Sequence, residues 1–264
     1  MNKTIDVIFF SPTGSTLKIA MAVAKGLAYN INTIDLTMPN GRDSQTTLSG
    51  DVVIIAVPVY EECVPHLVLP FFERLDASGQ PAVILTVYGN LHRGRALLQL
   101  RDIAANCGLR VVAAASFIAE HSFSTDAYPV AAHRPDNDDI AQAISFGEAL
   151  RHKLGNAQPG LVEVPAEKLS LMARLLPGGS AKVFSKAPKV DLSRCTHCGV
   201  CAELCPVVAI DAQSLHIETS RCIRCFTCVK RCAYGARAIE FRLPLIARIF
   251  VAQGRDHKEN KTYI

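Results

Sequence analysis

The chain contains no tryptophan among its 264 residues, and only 6% of it is aromatic. A flat ligand would therefore be flanked by tyrosine or phenylalanine rather than by indole. No uninterrupted apolar run approaches the roughly 18 residues that a membrane helix needs, so no membrane span is expected. The opening stretch MNKTIDVIFF carries Asp6 inside its apolar run and soon meets Pro12 and Gly14, which is not the pattern of a secretory leader. The G-x-G-x-x-G fingerprint of dinucleotide sites is missing, as is any constellation of acid, base and nucleophile. Cysteine is scarce over most of the chain. Only Cys63 and Cys107 lie outside residues 195–232, which hold the other eight. This distribution excludes a disulfide framework spread over the fold. It implies metal or cluster ligation in one small region of a protein from a reducing compartment, the cytoplasm.

What is present divides the chain into segments. Residues 1–154 alternate in an α/β manner. IDVIFF (5–10), DVVIIAVPV (51–59), PAVILTVY (81–88) and LRVVAAASFI (109–118) are short, rich in valine and isoleucine and nearly continuous, as strands covered on both faces are. INTIDL (31–36) is a weaker fifth strand, and helical patterns fill 15–28, 65–76, 93–107 and 137–154. The expected fold is a doubly wound parallel sheet of order 2-1-3-4-5. Residues 155–189 read as a linker with prolines and glycines towards its ends and one candidate helix, AEKLSLMARLL (166–176). Residues 190–240 form the small cysteine domain, and 241–264 a tail opening with LPLIARIFVA. LMARLL and LIARIF resemble each other, and both are expected to cover apolar surface of the domains or of one another.

The cysteine spacing is Cys195-x2-Cys198-x2-Cys201-x3-Cys205, and it recurs 27 residues later as Cys222-x2-Cys225-x2-Cys228-x3-Cys232. The segment is an internal duplication. Three thiolates two residues apart wrap one cluster, and the fourth points away from it to serve the other. Cys195, Cys198, Cys201 and Cys232 are thus expected on one [4Fe–4S] cluster, with Cys222, Cys225, Cys228 and Cys205 on a second. The alternative, a pair of zinc sites, takes two pairs of ligands rather than a run of four. The stretch resembles the bacterial two-cluster [4Fe–4S] ferredoxins over residues 190–240, with Ala233 where that family has proline. A backbone N–H at Ala233 would be available to a cluster sulfur and would raise that cluster's potential. The formal charge of +4 counts these thiols as neutral. Two oxidised clusters of about −2 each bring the sum near zero, so no nucleic-acid partner is expected.

SPTGST (11–16) stands where the first strand must turn into a helix. Its N–H groups open that helix, Ser11, Thr13, Ser15 and Thr16 add hydroxyl donors, and Gly14 permits close approach. Without lysine this is not a P-loop. A phosphate monoester held by neutral donors fits, with a plain helix cap as the alternative. The pattern resembles the FMN phosphate loop of flavodoxins, S/T-x-T-G-x-T, through Ser11, Thr13, Gly14 and Thr16. Two more loops lie at the same end of the sheet. Pro58, Val59 and Tyr60 follow the third strand, and Tyr88, Gly89 and Asn90 the fourth. The two tyrosines would flank a flat ring, and Gly89–Asn90 would meet its polar edge.

Together the segments resemble flavodoxin–ferredoxin fusion proteins. The resemblance rests on Pro58, Val59, Tyr60, Val64 and Pro65, on Tyr88, Gly89 and Asn90, and on Phe117, Ile118, Glu120, His121 and Ser122. It implies bound FMN and two [4Fe–4S] clusters. Glu61, Glu62 and Cys63 replace Gly-Gly-Arg of that family, and Leu91 replaces arginine. Two carboxylates beside a flavin would lower its potential. The function expected is electron transfer between FMN, the clusters and outside redox proteins, with self-association left open. Two alternatives stand beside it, an FMN-dependent reductase of a small acceptor (quinone, corrinoid or metal) and a redox-sensing adaptor.

Among the remaining residues, Cys63 and Cys107 read as packing thiols. His121 would serve either the ligand edge, the cysteine domain or a local turn. Arg93, Arg95 and Arg101 read as a solvated helix face, with an acidic partner as the alternative.

Overall fold

Alternation along the first strand sorts two hydrophobic layers. In the computed structural model, which describes residues 3–44, 47–156, 159–175, 180–256 and 258–264, β1 is Thr4–Phe9. Ile5, Val7 and Phe9 face a core shared with α1 (Ser15–Leu27) and α5 (Asn137–Lys153). Ile8 and Phe10 face the opposite core, under α3 (Leu69–Arg74) and α4 (Ala96–Asn106). A strand buried on both faces places neighbouring residues in different layers, which explains its nearly continuous apolar sequence.

β2 (Asn30–Asp35), β3 (Val52–Pro58), β4 (Pro81–Tyr88) and β5 (Arg110–Ile118) complete a parallel flavodoxin-like sheet of order β2-β1-β3-β4-β5. A sixth strand, β6 (Lys261–Tyr263), adds antiparallel to β5, pairing Ala114 with Tyr263 and Ser116 with Lys261. It comes from the tail and covers an edge that would otherwise present unpaired backbone. Asn260 leads it in. Its Oδ1 accepts from Ile118 N at 2.8 Å, and its Nδ2 donates to Asp139 Oδ1 at 2.8 Å in the capping box of α5. On the opposite side of the sheet from α3 and α4, α1 and α5 pack closely through Gly26 and Gly147. A Cβ at either would come within 2.1 Å of a carbonyl of the other helix.

Two local differences from the sequence reading have simple causes. The helix expected over 65–76 is a 3-10 turn, His66–Val68, followed by α3. Pro70 in its first turn supplies no N–H, so the helix restarts there. A short helix, α2 (Pro39–Asp43), was not expected. It begins at a proline, as helices commonly do, but is too short to show periodicity.

The linker holds two short helices, α6 (Leu171–Leu175) and α7 (Ser180–Phe184), rather than one. Leu176, Pro177, Gly178 and Gly179 lie outside the described residues. The cysteine segment carries α8 (Val200–Glu203) and α9 (Thr227–Lys230), and the tail carries α10 (Pro244–Gln253). α10 buries Ala247 and sets Phe250 against Phe123 and Phe184, with ring centroids at 5.8 and 5.6 Å. On α6, by contrast, Leu171 and Leu175 are each 71% exposed. Among the described residues no helix is long and apolar enough to cross a membrane.

Candidate functional site

The carboxyl ends of β1, β3 and β4 open on a cavity of about 1000 Å³, at the top of the range for small-molecule sites. Thr13, Ser15 and Thr16 line one end of it. Ser11 does not. Its Oγ accepts from Leu17 N at 3.0 Å, capping α1, while its own N–H donates to Thr37 Oγ1 at 3.0 Å. A helix-cap role and a cavity-lining loop therefore coexist in one hexapeptide. Gly14 has φ 95°, and a Cβ there would come within 2.6 Å of Arg231 Nη2. Arg231 belongs to the cysteine segment, and its Nη2 donates to Thr13 O at 3.2 Å. A guanidinium thus lies beside a loop that the sequence alone shows only with neutral donors.

Pro58, Val59 and Tyr60 line the side of the cavity. Tyr60 stands edge-on to Phe10 at 6.1 Å. Its hydroxyl is pushed well above the ordinary tyrosine value by burial, and further by the nearby Cys225. After Tyr60 the chain makes a tight turn closed by Tyr60 N to Cys63 O at 3.0 Å and Cys63 N to Tyr60 O at 2.9 Å. Both central residues are left-handed, Glu61 at φ 51° and Glu62 at φ 66°. Such a turn favours glycine. The glutamates have another task. Glu61 Oε1 accepts from Ser180 Oγ at 2.9 Å and Ala181 N at 3.2 Å, and Glu62 Oε2 accepts from Ser170 N at 2.7 Å. The two carboxylates fasten the starts of both linker helices over the cavity. Both glutamates also line the cavity.

Tyr88 and Gly89 also line the cavity. Tyr88 is 3% exposed, and burial raises its hydroxyl above the ordinary value against the opposing charge of Arg93. Gly89 is required by His121, whose Cδ2 would lie 2.3 Å from a Cβ at that position. Asn90, expected to meet a ligand, is turned to the tail. Its Nδ2 donates to Gly254 O at 2.8 Å and Asp256 O at 3.0 Å, and its Oδ1 is buried without a partner. His121 takes the local-turn role, its Nδ1 accepting from Phe123 N at 3.3 Å, while it also lines the cavity. Burial first and Lys230 second hold its imidazole down to about 3, so it is neutral at physiological pH. Of the arginines, Arg93 pairs with Glu167 of the linker at 2.8 Å and Arg101 with neighbouring Asp102 at 2.6 Å. Cys107 donates to Phe72 O at 3.1 Å inside the core, and Cys63 is half-buried.

The far wall of the cavity is the second cysteine repeat, through Ile223, Arg224 and Phe226. Cys205 joins this repeat in space: burial pushes the Cys225 thiol to about 11 and Cys228 to about 12, with Cys205 and Cys222 adding to both. Cys195, Cys198, Cys201 and Cys232 line a separate small cavity together. Among the described residues no three His, Cys, Asp or Glu side chains converge on a point suited to a single ion.

The duplication extends to the backbone. Left-handed residues recur at the 27-residue period, His197 with Arg224, Gly199 with Phe226 and Val208 with Gly235. Ala209 N donates to Cys205 Sγ at 3.3 Å and Ala236 N to Cys232 Sγ at 3.2 Å. The N–H that reaches Cys232 is that of Ala236.

Several contacts seat the cysteine segment on the α/β layer. Lys230 Nζ meets Glu120 Oε1 and Ser124 O, each at 2.7 Å, and Arg42 Nη2 donates to Pro206 O at 2.7 Å. Phe226 packs with Phe123 and Val130. None of these was singled out from the sequence. Aligning the two repeats would have exposed one of them, since Phe226 stands where the first repeat has Gly199.

Comparison with known proteins agrees in outline. A family model described as a 4Fe-4S binding domain matches residues 188–211, the first cysteine repeat. No curated protein matches the chain. Similar solved structures include a flavodoxin from the domain Archaea, 12% identical, covering 58% of this chain and 99% of that one with a TM-score of 0.41. The flavodoxin of Streptococcus pneumonia TIGR4 is 19% identical, with 57% and 99% covered and a TM-score of 0.39. The rubredoxin oxygen:oxidoreductase of the anaerobe Desulfovibrio gigas is 12% identical, with 58% and 36% covered and a TM-score of 0.43.

Proposed function

We propose that the chain is an electron-transfer protein that holds FMN in the large cavity and two [4Fe–4S] clusters on its eight clustered cysteines. The observation that carries this reading is the shared cavity: Thr13, Ser15, Thr16 and Tyr60 form one side and Ile223, Arg224 and Phe226 of the second cysteine repeat the other. When bound, the flavin supplies one- or two-electron chemistry and each cluster one-electron chemistry, so the set converts between the two.

The residues divide the work. The N–H groups and hydroxyls of residues 13–16, with Arg231, hold a phosphate. Tyr60, Tyr88 and Gly89 shape the space for a flat ring, and Asn90 fixes their loop to the tail. Glu61 and Glu62 keep the linker closed above and limit water. Cys222, Cys225, Cys228 and Cys205 form the inner cluster site, next to the cavity. Cys195, Cys198, Cys201 and Cys232 form the outer one, where Cys198 is exposed. Electrons then enter or leave at the outer site, because the inner one is covered by the α/β layer.

The cavity's size also favours a second reading, a reductase whose small acceptor shares the space with the flavin. Anaerobic purification with counts of iron, sulfide and flavin tests the first reading. Eight irons and one FMN per chain are expected, and an iron-free, colourless protein defeats it. Steady turnover with a quinone or corrinoid, without a protein acceptor, would move the conclusion to the reductase.

A further inference from the structure

Arg237 is a buried cation with no anion beside it. It is 4% exposed. Its Nη1 donates to Pro188 O at 3.0 Å and its Nη2 to Leu215 O at 2.6 Å, while Nε is buried without a partner. No ion pair among the described residues includes it. An unpaired buried charge is strongly unfavourable, so the surroundings of Arg237 suit an anion.

Its position names the anion. Arg237 lines the cavity formed by Cys195, Cys198, Cys201 and Cys232. The residue 27 positions earlier is Ile210, which lies in the small apolar core among Cys205, Ala209 and Cys228. The duplication therefore carries a cation at only one of two equivalent places, and that place borders the set of Cys195, Cys198, Cys201 and Cys232.

We propose that Arg237 is the counter-charge of the cluster held by Cys195, Cys198, Cys201 and Cys232 and holds its reduction potential up. The inference rests on the two-cluster reading given above. Reduction adds one electron, taken from an outside donor, and makes a cluster more negative by one unit with no bond to the protein made or broken. A fixed cation in a site of low polarity stabilises that reduced state more than the oxidised one. Arg237 is thus a positioning charge, not a ligand.

A purely structural role, tying the carbonyls of Pro188 and Leu215, predicts something different. Redox titration of the anaerobically purified full chain, followed by electron paramagnetic resonance, separates the two. Arg237→Gln is expected to lower the reduction equilibrium constant of that cluster about tenfold, which is about 59 mV for one electron. Arg237→Lys, which keeps the charge and loses the fork, is expected to stay close to wild type, and the flavin potential is expected not to move. Unchanged cluster potentials in the Gln variant overturn the proposal, and so does a Lys variant that falls as far as Gln. Should the Gln variant fail to retain iron, the Lys variant decides: a near-wild-type potential upholds the role of charge, and a tenfold fall overturns it. A wild-type chain without iron and sulfide defeats the cluster reading itself. Eight irons with potentials indifferent to Arg237→Gln defeat only the role of Arg237.

Discussion

In the first cysteine repeat the residue after the second ligand is Gly199, at φ 74° with open space where a Cβ would be. In the second it is Phe226, at φ 58° and 4% exposed. A left-handed backbone costs an L-residue roughly 1–2 kcal/mol, and burying a phenyl ring returns about 1.5–3 kcal/mol. The exchange is favourable only while the second repeat lies against Phe123. The neighbouring positions differ in the same sense: Lys230 and Arg231 of the second repeat stand where the first has Glu203 and Leu204. One ligand geometry has been kept twice, and the surroundings have been changed so that one copy docks and the other faces solvent.

The largest effect expected from this difference comes from removing ligands. Cys225→Ala should abolish electron exchange between the flavin and any protein partner, while Cys198→Ala leaves exchange between flavin and inner cluster intact. Stopped-flow absorbance of both variants after anaerobic iron counts gives the answer, and equal behaviour would erase the distinction between inner and outer sites. Next is Phe226→Gly, which gives the second repeat the first one's residue. Deleting a buried phenyl costs about 3–5 kcal/mol, less about 1 kcal/mol regained from the backbone. Docking should loosen, seen as faster proteolysis of the linker and slower flavin reduction at unchanged iron content.

Arg231→Gln sharpens the comparison on the phosphate side. A charge-assisted hydrogen bond contributes about 1.5–3 kcal/mol, so FMN affinity should fall roughly 10- to 100-fold while riboflavin, which has no phosphate, binds as before. An equal loss for both would mean that Arg231 serves docking alone. The smallest effect concerns pH. His121 is held at about 3 in the folded chain, below its unfolded value near 6.5. Its contribution is therefore complete above about pH 6.5 and declines as pH falls, by at most about 1.4 kcal/mol per unit. Denaturant midpoints between pH 7.5 and 5.5 should show this decline in wild type and a flatter profile in His121→Gln.

Local patterns made much of this legible in advance. The Val/Ile runs gave β1, β3, β4 and β5 within a residue or two because strands buried on both faces have little freedom in composition. Cysteine spacing gave the duplication because cluster ligation fixes ligand geometry. What stayed hidden depends on distant partners. KTY (261–263) has no strand signature of its own, and its pairing is set by Asn260 reaching Ile118 and Asp139. Glu61 and Glu62 read as charges near a ligand because their partners, Ser170, Ser180 and Ala181, are more than a hundred residues away. Asn90 looked like a ligand group for the same reason: its partners lie in the tail.

The return of the chain to β5 has a mechanical consequence. The iron–sulfur module is anchored at its entry by the linker and at its exit by the closing strand, so it is spliced into the sheet domain at two points rather than hung from one. A module on a single leash explores a sphere, whereas one fixed at both ends is confined to rocking about the line between its anchors. Long excursions are thereby given up, and the separation between the cysteine segment and the sheet's cavity becomes a property of the fold itself.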